Sequence, residues 1–155
     1  MSVEDDGKGM TADMVAKVVD PFTTTRTTRK VGLGIPLLKA AAEACNGYLT
    51  IESQPGKGTK LVVQFQRSHI DRMPLGDLPG TILHLFVANS QIHWIFKYTY
   101  NDNTFVFDDA PIKDALDGVP LSEPDVLHVL EEMIDSGIKE VNPSYENDHV
   151  TLSTL

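Results

Sequence analysis

Cysteine, cationic residues and long apolar runs are all scarce in this sequence of 155 residues. The single cysteine, Cys45, excludes a disulfide within the chain, and its apolar surroundings favour a buried structural thiol over a reactive one. No apolar run approaches the roughly 18 residues that a membrane-spanning helix needs. The first six residues also lack the basic-then-apolar order of a signal peptide. These absences predict a cytoplasmic protein with no membrane partner.

The shortage of cations leaves the chain acidic, with 13 Lys and Arg against 22 Asp and Glu and a formal net charge of −9. This charge argues against a nucleic-acid partner. It is unevenly distributed, because residues 1–67 carry a net +2 whereas residues 68–155 carry a net −11. The acidic part is predicted to be a solvated surface, and the alternative is an acidic face that docks a protein partner.

A loop rich in hydroxyl side chains and cations, residues 20–34, ends in a Gly-x-Gly turn at the start of a predicted helix. The turn consists of Gly32, Leu33 and Gly34. Backbone N–H groups at such a helix start can approach an anion, and the helix dipole adds partial positive charge. Three side chains could add charge-assisted contacts to phosphate oxygens: Arg26, Arg29 and Lys30. The loop is therefore interpreted as a phosphate-binding lid, and the alternative is an ordinary solvated loop before a helix.

A second glycine motif precedes this loop, where Asp5-x-Gly7-x-Gly9 follows a predicted strand. Together with Asp20-Pro21-Phe22 and Gly32-Leu33-Gly34-Ile35, it forms three boxes in order. The boxes resemble those of the ATPase superfamily shared by histidine kinases, DNA gyrase, heat-shock chaperones and mismatch-repair proteins, abbreviated GHKL. The resemblance covers residues 3 to about 66.

The resemblance implies roles for individual residues. Asp5 would take the adenine amino group, Gly7 and Gly9 would let the base approach, and Gly32 and Gly34 would lie under the phosphates. Gly58-Thr59 matches the last glycine box of the superfamily. Thr59 would then contact a phosphate or a water on the adenine side, and an exposed strand threonine is the alternative.

The sequence also departs from the superfamily. Lys30 stands where the first glycine of the usual Gly-x-Gly-x-Gly box is expected. In the superfamily, a helix upstream of Asp5 carries the asparagine that holds Mg²⁺, and this chain begins at Met1. We therefore expect Mg²⁺ to bind only where that helix is supplied. We also expect negligible ATP turnover by this chain alone, despite an ancestry of ATPases and protein kinases.

The periodicity of apolar residues predicts helices and strands in both parts of the chain. The predicted elements are a helix from Thr11 to Val19, a helix at Ile35–Cys45, strands at Tyr48–Ser53 and Thr59–Gln66, a helix at Leu78–Ala88, an aromatic hairpin over 92–108, and a helix from a capping box at Ser122 and Asp125 to Asp135. Residues from Val141 onward are expected to fray. The fold class is α/β, as a two-layer α/β sandwich of the histidine-kinase-like ATPase type over 1–67. A helix–hairpin–helix extension occupies 68–155.

The predicted function is binding of an adenine nucleotide, ATP, by a histidine-kinase-like ATPase module in a signalling or regulatory protein of bacterial type. The alternative is a non-enzymatic interaction module with a vestigial nucleotide site, whose acidic tail binds a protein. The strand around Val3 is expected to have an unpaired edge, and the aromatic hairpin needs a packing partner. The sequence therefore predicts a homodimer or higher oligomer.

Overall fold

The computed structural model describes residues 1–20 and 33–145. The chain divides into two compact units, the N-terminal unit over 1–73 and the C-terminal unit over 74–155. Among the helices of the described residues, none combines the length and the apolar character needed to cross a membrane.

In its described residues, the N-terminal unit is a three-stranded antiparallel sheet with two helices, which confirms the predicted α/β class. Its elements are β1 (Ser2–Asp5), α1 (Ala12–Val18), α2 (Gly34–Ala44), β2 (Tyr48–Gln54) and β3 (Gly58–Gln64). The strand order is β1-β3-β2, so that β3 is central. Helix α2 packs on β2 and β3, and α1 packs on β2.

Side-chain alternation along the strands gives this sheet one apolar face. Leu49 and Val63 are directly paired across β2 and β3, as are Ile51 and Leu61, and Val63 is fully buried. Cys45 directly follows α2 and is also buried, as expected of a structural thiol. The sheet therefore has one face on which functional side chains can lie next to helices.

Both helices of this unit have identifiable ends. The hydroxyl of Thr11 accepts a hydrogen bond from Met14 N at 3.3 Å and caps α1 as predicted. After α2, Asn46 adopts a left-handed conformation with φ of 53°. The following Gly47 has no room for a side chain, because a Cβ there would overlap the carbonyl oxygen of Gln64. The Asn-Gly pair therefore both stops the helix and lets the chain pass close to β3.

As far as Tyr145, the C-terminal unit contains a two-stranded sheet and three helices. Its elements are α3 (Leu78–Ala88), β4 (Ile95–Tyr100), β5 (Asn103–Asp108), α4 (Ala110–Ala115) and α5 (Pro124–Val141). The bounds of α3 are those predicted, and Asp77 caps it by accepting a hydrogen bond from Gly80 N at 2.9 Å. Its sequence is apolar nearly all round, which predicts burial on more than one side. It instead buries Leu83 and Phe86 on one side and leaves Leu85 41% exposed.

The aromatic residues of the hairpin form a core, as their strand spacing predicts. Phe96 is paired with Phe107 and Tyr98 with Phe105 across β4 and β5. The Phe107 ring stacks on Phe86 of α3 with centroids 5.2 Å apart. These rings therefore pack inside the unit and are not a surface for stacking on a base.

The prediction for the last helix was wrong at both ends. Helix α5 begins at Pro124 and no side chain caps it, so Ser122 does not form a capping box. A proline in the first turn needs no hydrogen-bond acceptor, which allows the helix to start there. The helix was predicted to end at Asp135 but continues to Val141, and Gly137 lies inside it, where the ring of Phe105 occupies the place of a side chain.

The residues after α5 were expected to fray, and as far as Tyr145 this was wrong. Asn142 and Tyr145 are buried, with 1% and 2% exposure. The Tyr145 hydroxyl accepts a hydrogen bond from Leu78 N at 3.0 Å, and Asn142 Nδ2 donates to the hydroxyl of Tyr98 at 2.8 Å. Burial raises the pKa of Tyr145, so its neutral phenol is the form that the fold stabilises.

The contact between Gly137 and Phe105 predicts a large cost for a small substitution. Gly137→Ala should destabilise the C-terminal unit by about 1–2 kcal/mol, because an overpacking cost of about 1–3 kcal/mol exceeds a helix-propensity gain of up to about 1. Urea unfolding followed by fluorescence of Trp94, the only tryptophan, measures this unit. Ser136→Ala, at an exposed position of the same helix, is the control and should change stability by less than about 0.5 kcal/mol. Equal midpoints for the two variants would contradict the packing argument.

Candidate functional site

The site predicted around Asp5 is built on a row of three residues across the sheet. Asp5 is paired with Thr59 between β1 and β3, and Ser53 is paired with Thr59 between β2 and β3. Residues directly opposite each other in antiparallel strands have their side chains on the same face, with Cβ atoms about 4.5–5.5 Å apart. Two oxygen-bearing side chains therefore flank the hydroxyl of Thr59.

The carboxylate of Asp5 is held by the turn that follows it. Its Oδ1 atom accepts a hydrogen bond from Gly7 N at 2.9 Å, which forms an Asx turn at the end of β1. A Cβ on Gly7 would lie only 2.7 Å from that oxygen, so glycine keeps the turn tight. Among the described residues, no donor contacts Oδ2 of Asp5, and the residue is exposed. One oxygen thus fixes the side chain while the other remains open to a ligand.

Two further glycines bring the Asp5 turn against the β2–β3 hairpin. Gly9 has φ of +63° and Gly58 has φ of +90°, both in the left-handed region that favours glycine. A Cβ on Gly9 would overlap the carbonyl oxygen of Gln54, and one on Gly58 would overlap that of Asp5. The resemblance assigned Gly9 to the approach of the base. In the structure, both glycines allow the segment around Asp5 to lie close to the β2–β3 hairpin. This close contact positions Asp5.

Ser53 joins these segments and was not predicted as a site residue. Its hydroxyl accepts a hydrogen bond from Met10 N at 2.8 Å, donates to the carbonyl of Gly58 at 2.8 Å, and lies 3.1 Å from the hydroxyl of Thr59. The signal for it was the register of the predicted hairpin, which places Ser53 opposite Thr59. The side chain of Ser53 therefore connects three parts of the unit: the loop after Asp5, the hairpin turn and Thr59.

The second predicted group lies at the start of α2. Gly34 is the first residue of the helix and Leu33 precedes it, with no capping side chain and no acidic residue in the first turn. A Cβ on Gly34 would meet no described atom within 4 Å. Four other predicted residues lie outside the described residues: Arg26, Arg29, Lys30 and Gly32.

A possible metal site occurs elsewhere. Within residues 1–20 and 33–145, the one group of three side chains with metal-binding atoms close together is His93, Asp108 and Asp109, in the C-terminal unit. Lys113 Nζ lies 2.7 Å from Asp109 Oδ2. His93 Nε2 lies 2.8 Å from Asp108 Oδ1, which also accepts from the N–H of Ala110.

The polar partners of this group explain it without a metal. The bond from the Ala110 N–H, followed by that from His93, lowers the pKa of Asp108. The Lys113 ammonium already neutralises Asp109, so the three side chains do not fit a cation. Among the described residues of the N-terminal unit, no such group of three is found.

Comparison with known proteins identifies relatives of the N-terminal unit. Residues 1–69 match the family described as histidine kinase-, DNA gyrase B-, and HSP90-like ATPase. The chain is similar to the sensor kinase CckA of Brucella abortus (strain 2308), with 35% identity over 66 residues, which are 42% of this chain and 7% of that protein. It is also similar to sporulation kinase E of Bacillus subtilis (strain 168), with 39% identity over 59 residues, which are 38% of this chain and 8% of that protein.

A third relative is the sensory histidine kinase/phosphatase NtrB of Rhodobacter capsulatus, with 35% identity over 57 residues, which are 37% of this chain and 16% of that protein. The chain thus spans a small part of the curated relatives that it matches. No solved structure matches the chain.

Proposed function

We propose that the N-terminal unit binds an adenine nucleotide, ATP; the match of residues 1–69 to the histidine kinase-, DNA gyrase B-, and HSP90-like ATPases supports this. The observation that carries the proposal is the open Oδ2 atom of Asp5, whose partner Oδ1 is held by Gly7 N. A fixed carboxylate accepts a hydrogen bond from an amino group. Adenine has an amino group at C6, where guanine has a carbonyl oxygen, so Asp5 favours adenine.

The phosphates are proposed to lie at the start of α2. The N–H groups of its first turn and the helix dipole favour an anion there, and no atom of the described residues would lie within 4 Å of a Cβ on Gly34. The three cations that precede it in sequence, Arg26, Arg29 and Lys30, are proposed to contact the phosphate oxygens. No step of the proposal depends on a metal.

A kinase-type ATPase module in signalling is the function class that the relatives support, since those named above are a sensor kinase, a sporulation kinase and a histidine kinase/phosphatase. We propose that this chain binds its nucleotide as part of a signalling or regulatory protein of bacterial type. The C-terminal unit has its own core and most of the acidic residues. These features support a second candidate function, in which this unit docks a protein partner and the nucleotide site is vestigial.

The base-recognition proposal predicts the effect of changing Asp5. Asp5→Asn keeps an oxygen for Gly7 N but turns an N–H group towards the adenine amino group. A hydrogen bond to a charged group contributes about 1.5–3 kcal/mol, so ATP binding should weaken at least about tenfold. Calorimetric titration with ATP and with GTP measures both affinities. Asp6→Asn, at the next exposed carboxylate, is the matched control and should bind ATP within about twofold of wild type. Unchanged ATP affinity in the Asp5 variant would rule out this role.

Self-association is proposed from the exposed edge of the sheet. All four residues of β1 are exposed, Val3 is 55% exposed, and among the described strands β1 pairs with β3 alone. Exposed strand edges pair readily with other chains. We therefore expect light scattering at about 100 μM protein to give at least the mass of a dimer, since a modest interface has a micromolar Kd. Val3→Lys should shift the protein towards monomer, and a monomeric wild type at this concentration would contradict the proposal.

A further inference from the structure

The hydrogen bonds around Ser53 restrict where its one hydroxyl proton can point. Three groups lie within hydrogen-bonding distance of Ser53 Oγ: Met10 N at 2.8 Å, the carbonyl oxygen of Gly58 at 2.8 Å, and Thr59 Oγ1 at 3.1 Å. A serine hydroxyl can donate one hydrogen bond and accept two. The backbone N–H of Met10 can only donate, and the carbonyl of Gly58 can only accept. Ser53 therefore donates its one hydroxyl hydrogen bond to the carbonyl oxygen of Gly58.

This assignment fixes the hydroxyl of Thr59 as well. One lone pair of Ser53 receives the Met10 N–H, and its other lone pair faces Thr59. Since Ser53 has no second proton to give, Thr59 must be the donor in the bond between the two hydroxyls. The only hydroxyl proton of Thr59 is then used, and its oxygen can act only as an acceptor towards any other group.

The end of the sheet face therefore presents two acceptors side by side. Asp5 is paired directly with Thr59, and its Oδ2 is the first acceptor, while Thr59 Oγ1 is the second. A ligand group that donates hydrogen bonds fits this pair, such as an exocyclic amino group or a water that donates to both. An ionised phosphate oxygen accepts and does not donate, so this position does not fit a phosphate.

We propose that Ser53 is a positioning residue for base selectivity. Its oxygen accepts the hydrogen bond that Thr59 donates, so that the Thr59 oxygen acts only as an acceptor towards the amino group of the base. The inference rests on the proposed nucleotide function and adds a residue that acts through Thr59. If Ser53 loses its hydroxyl, Thr59 regains a free proton and can donate to a carbonyl at the same position. Selectivity between an amino group and a carbonyl should then fall.

The test compares ATP with ITP. The base of ATP has an amino group at C6, whereas the base of ITP has a carbonyl oxygen at C6 and a proton on the neighbouring ring nitrogen N1. Titrations give the ratio of the two Kd values for wild type, Ser53→Ala and Ser53→Thr. The preference of the wild type for ATP should fall about two- to tenfold in Ser53→Ala, the range expected for one neutral hydrogen bond. Ser53→Thr keeps the hydroxyl and should restore the preference. Thr50→Val, at an exposed threonine on the other face of β2, is the matched control and should not change it.

A second variant keeps the test decisive if Ser53→Ala folds poorly. Thr59→Val removes the acceptor itself while leaving the bonds of Ser53 to Met10 and Gly58, and it should also lower the ratio. In the Thr59→Val background, Ser53→Ala should cause no further loss of selectivity. Equal loss of ATP and ITP affinity in Ser53→Ala, or additive effects of the two substitutions on the ratio, would show a merely structural role. A wild type that prefers ATP together with an unchanged ratio in both variants would overturn this inference alone, whereas a wild type that binds neither nucleotide would overturn the proposed function as well.

Discussion

The antiparallel pairing of β1 with β3 is the constraint on which the candidate site depends. It places Asp5 opposite Thr59, and it is possible only because Gly58 has no side chain beneath the Asp5 carbonyl. The same approach brings the loop after Asp5 to the hairpin, where Ser53 binds the Met10 N–H. Base recognition is thus proposed at the end of a sheet, and phosphate binding at the start of α2.

The two units differ in what holds them together and in charge. The N-terminal unit relies on one apolar sheet face under two helices, with Val63 and Ala42 as its most buried side chains. The C-terminal unit has an aromatic core in which Phe86 and α5 pack on the hairpin, with Phe107 of the hairpin stacked on Phe86. Most of the acidic residues lie in this second unit. An anionic ligand is therefore expected to favour the N-terminal unit on electrostatic grounds alone.

Local patterns in the sequence predicted the class of the fold, most helix and strand positions and the β2–β3 hairpin, but not the pairing of β1 with β3. Two local patterns were sufficient for these predictions, because each depends only on residues close together in sequence: the alternation of apolar residues in β2 and β3, and the glycine boxes. Contacts between distant residues could not be predicted in this way. Gly137 lies within a helix because Phe105 packs on it, and Tyr145 is ordered because its hydroxyl accepts from Leu78 N. Ser53 was missed for a related reason, since its role appears only when three segments meet.

The central claim is that the Asp5 end of the sheet and the start of α2 hold one adenine nucleotide. The most direct measurement is a titration of ¹⁵N-labelled protein with ATP, followed through the backbone amide resonances. The account predicts shifts at Gly7, Gly9, Gly34 and Thr59, and none at residues of the aromatic core such as Phe107. Shifts confined to the C-terminal unit, or no shifts at millimolar ATP, would contradict it.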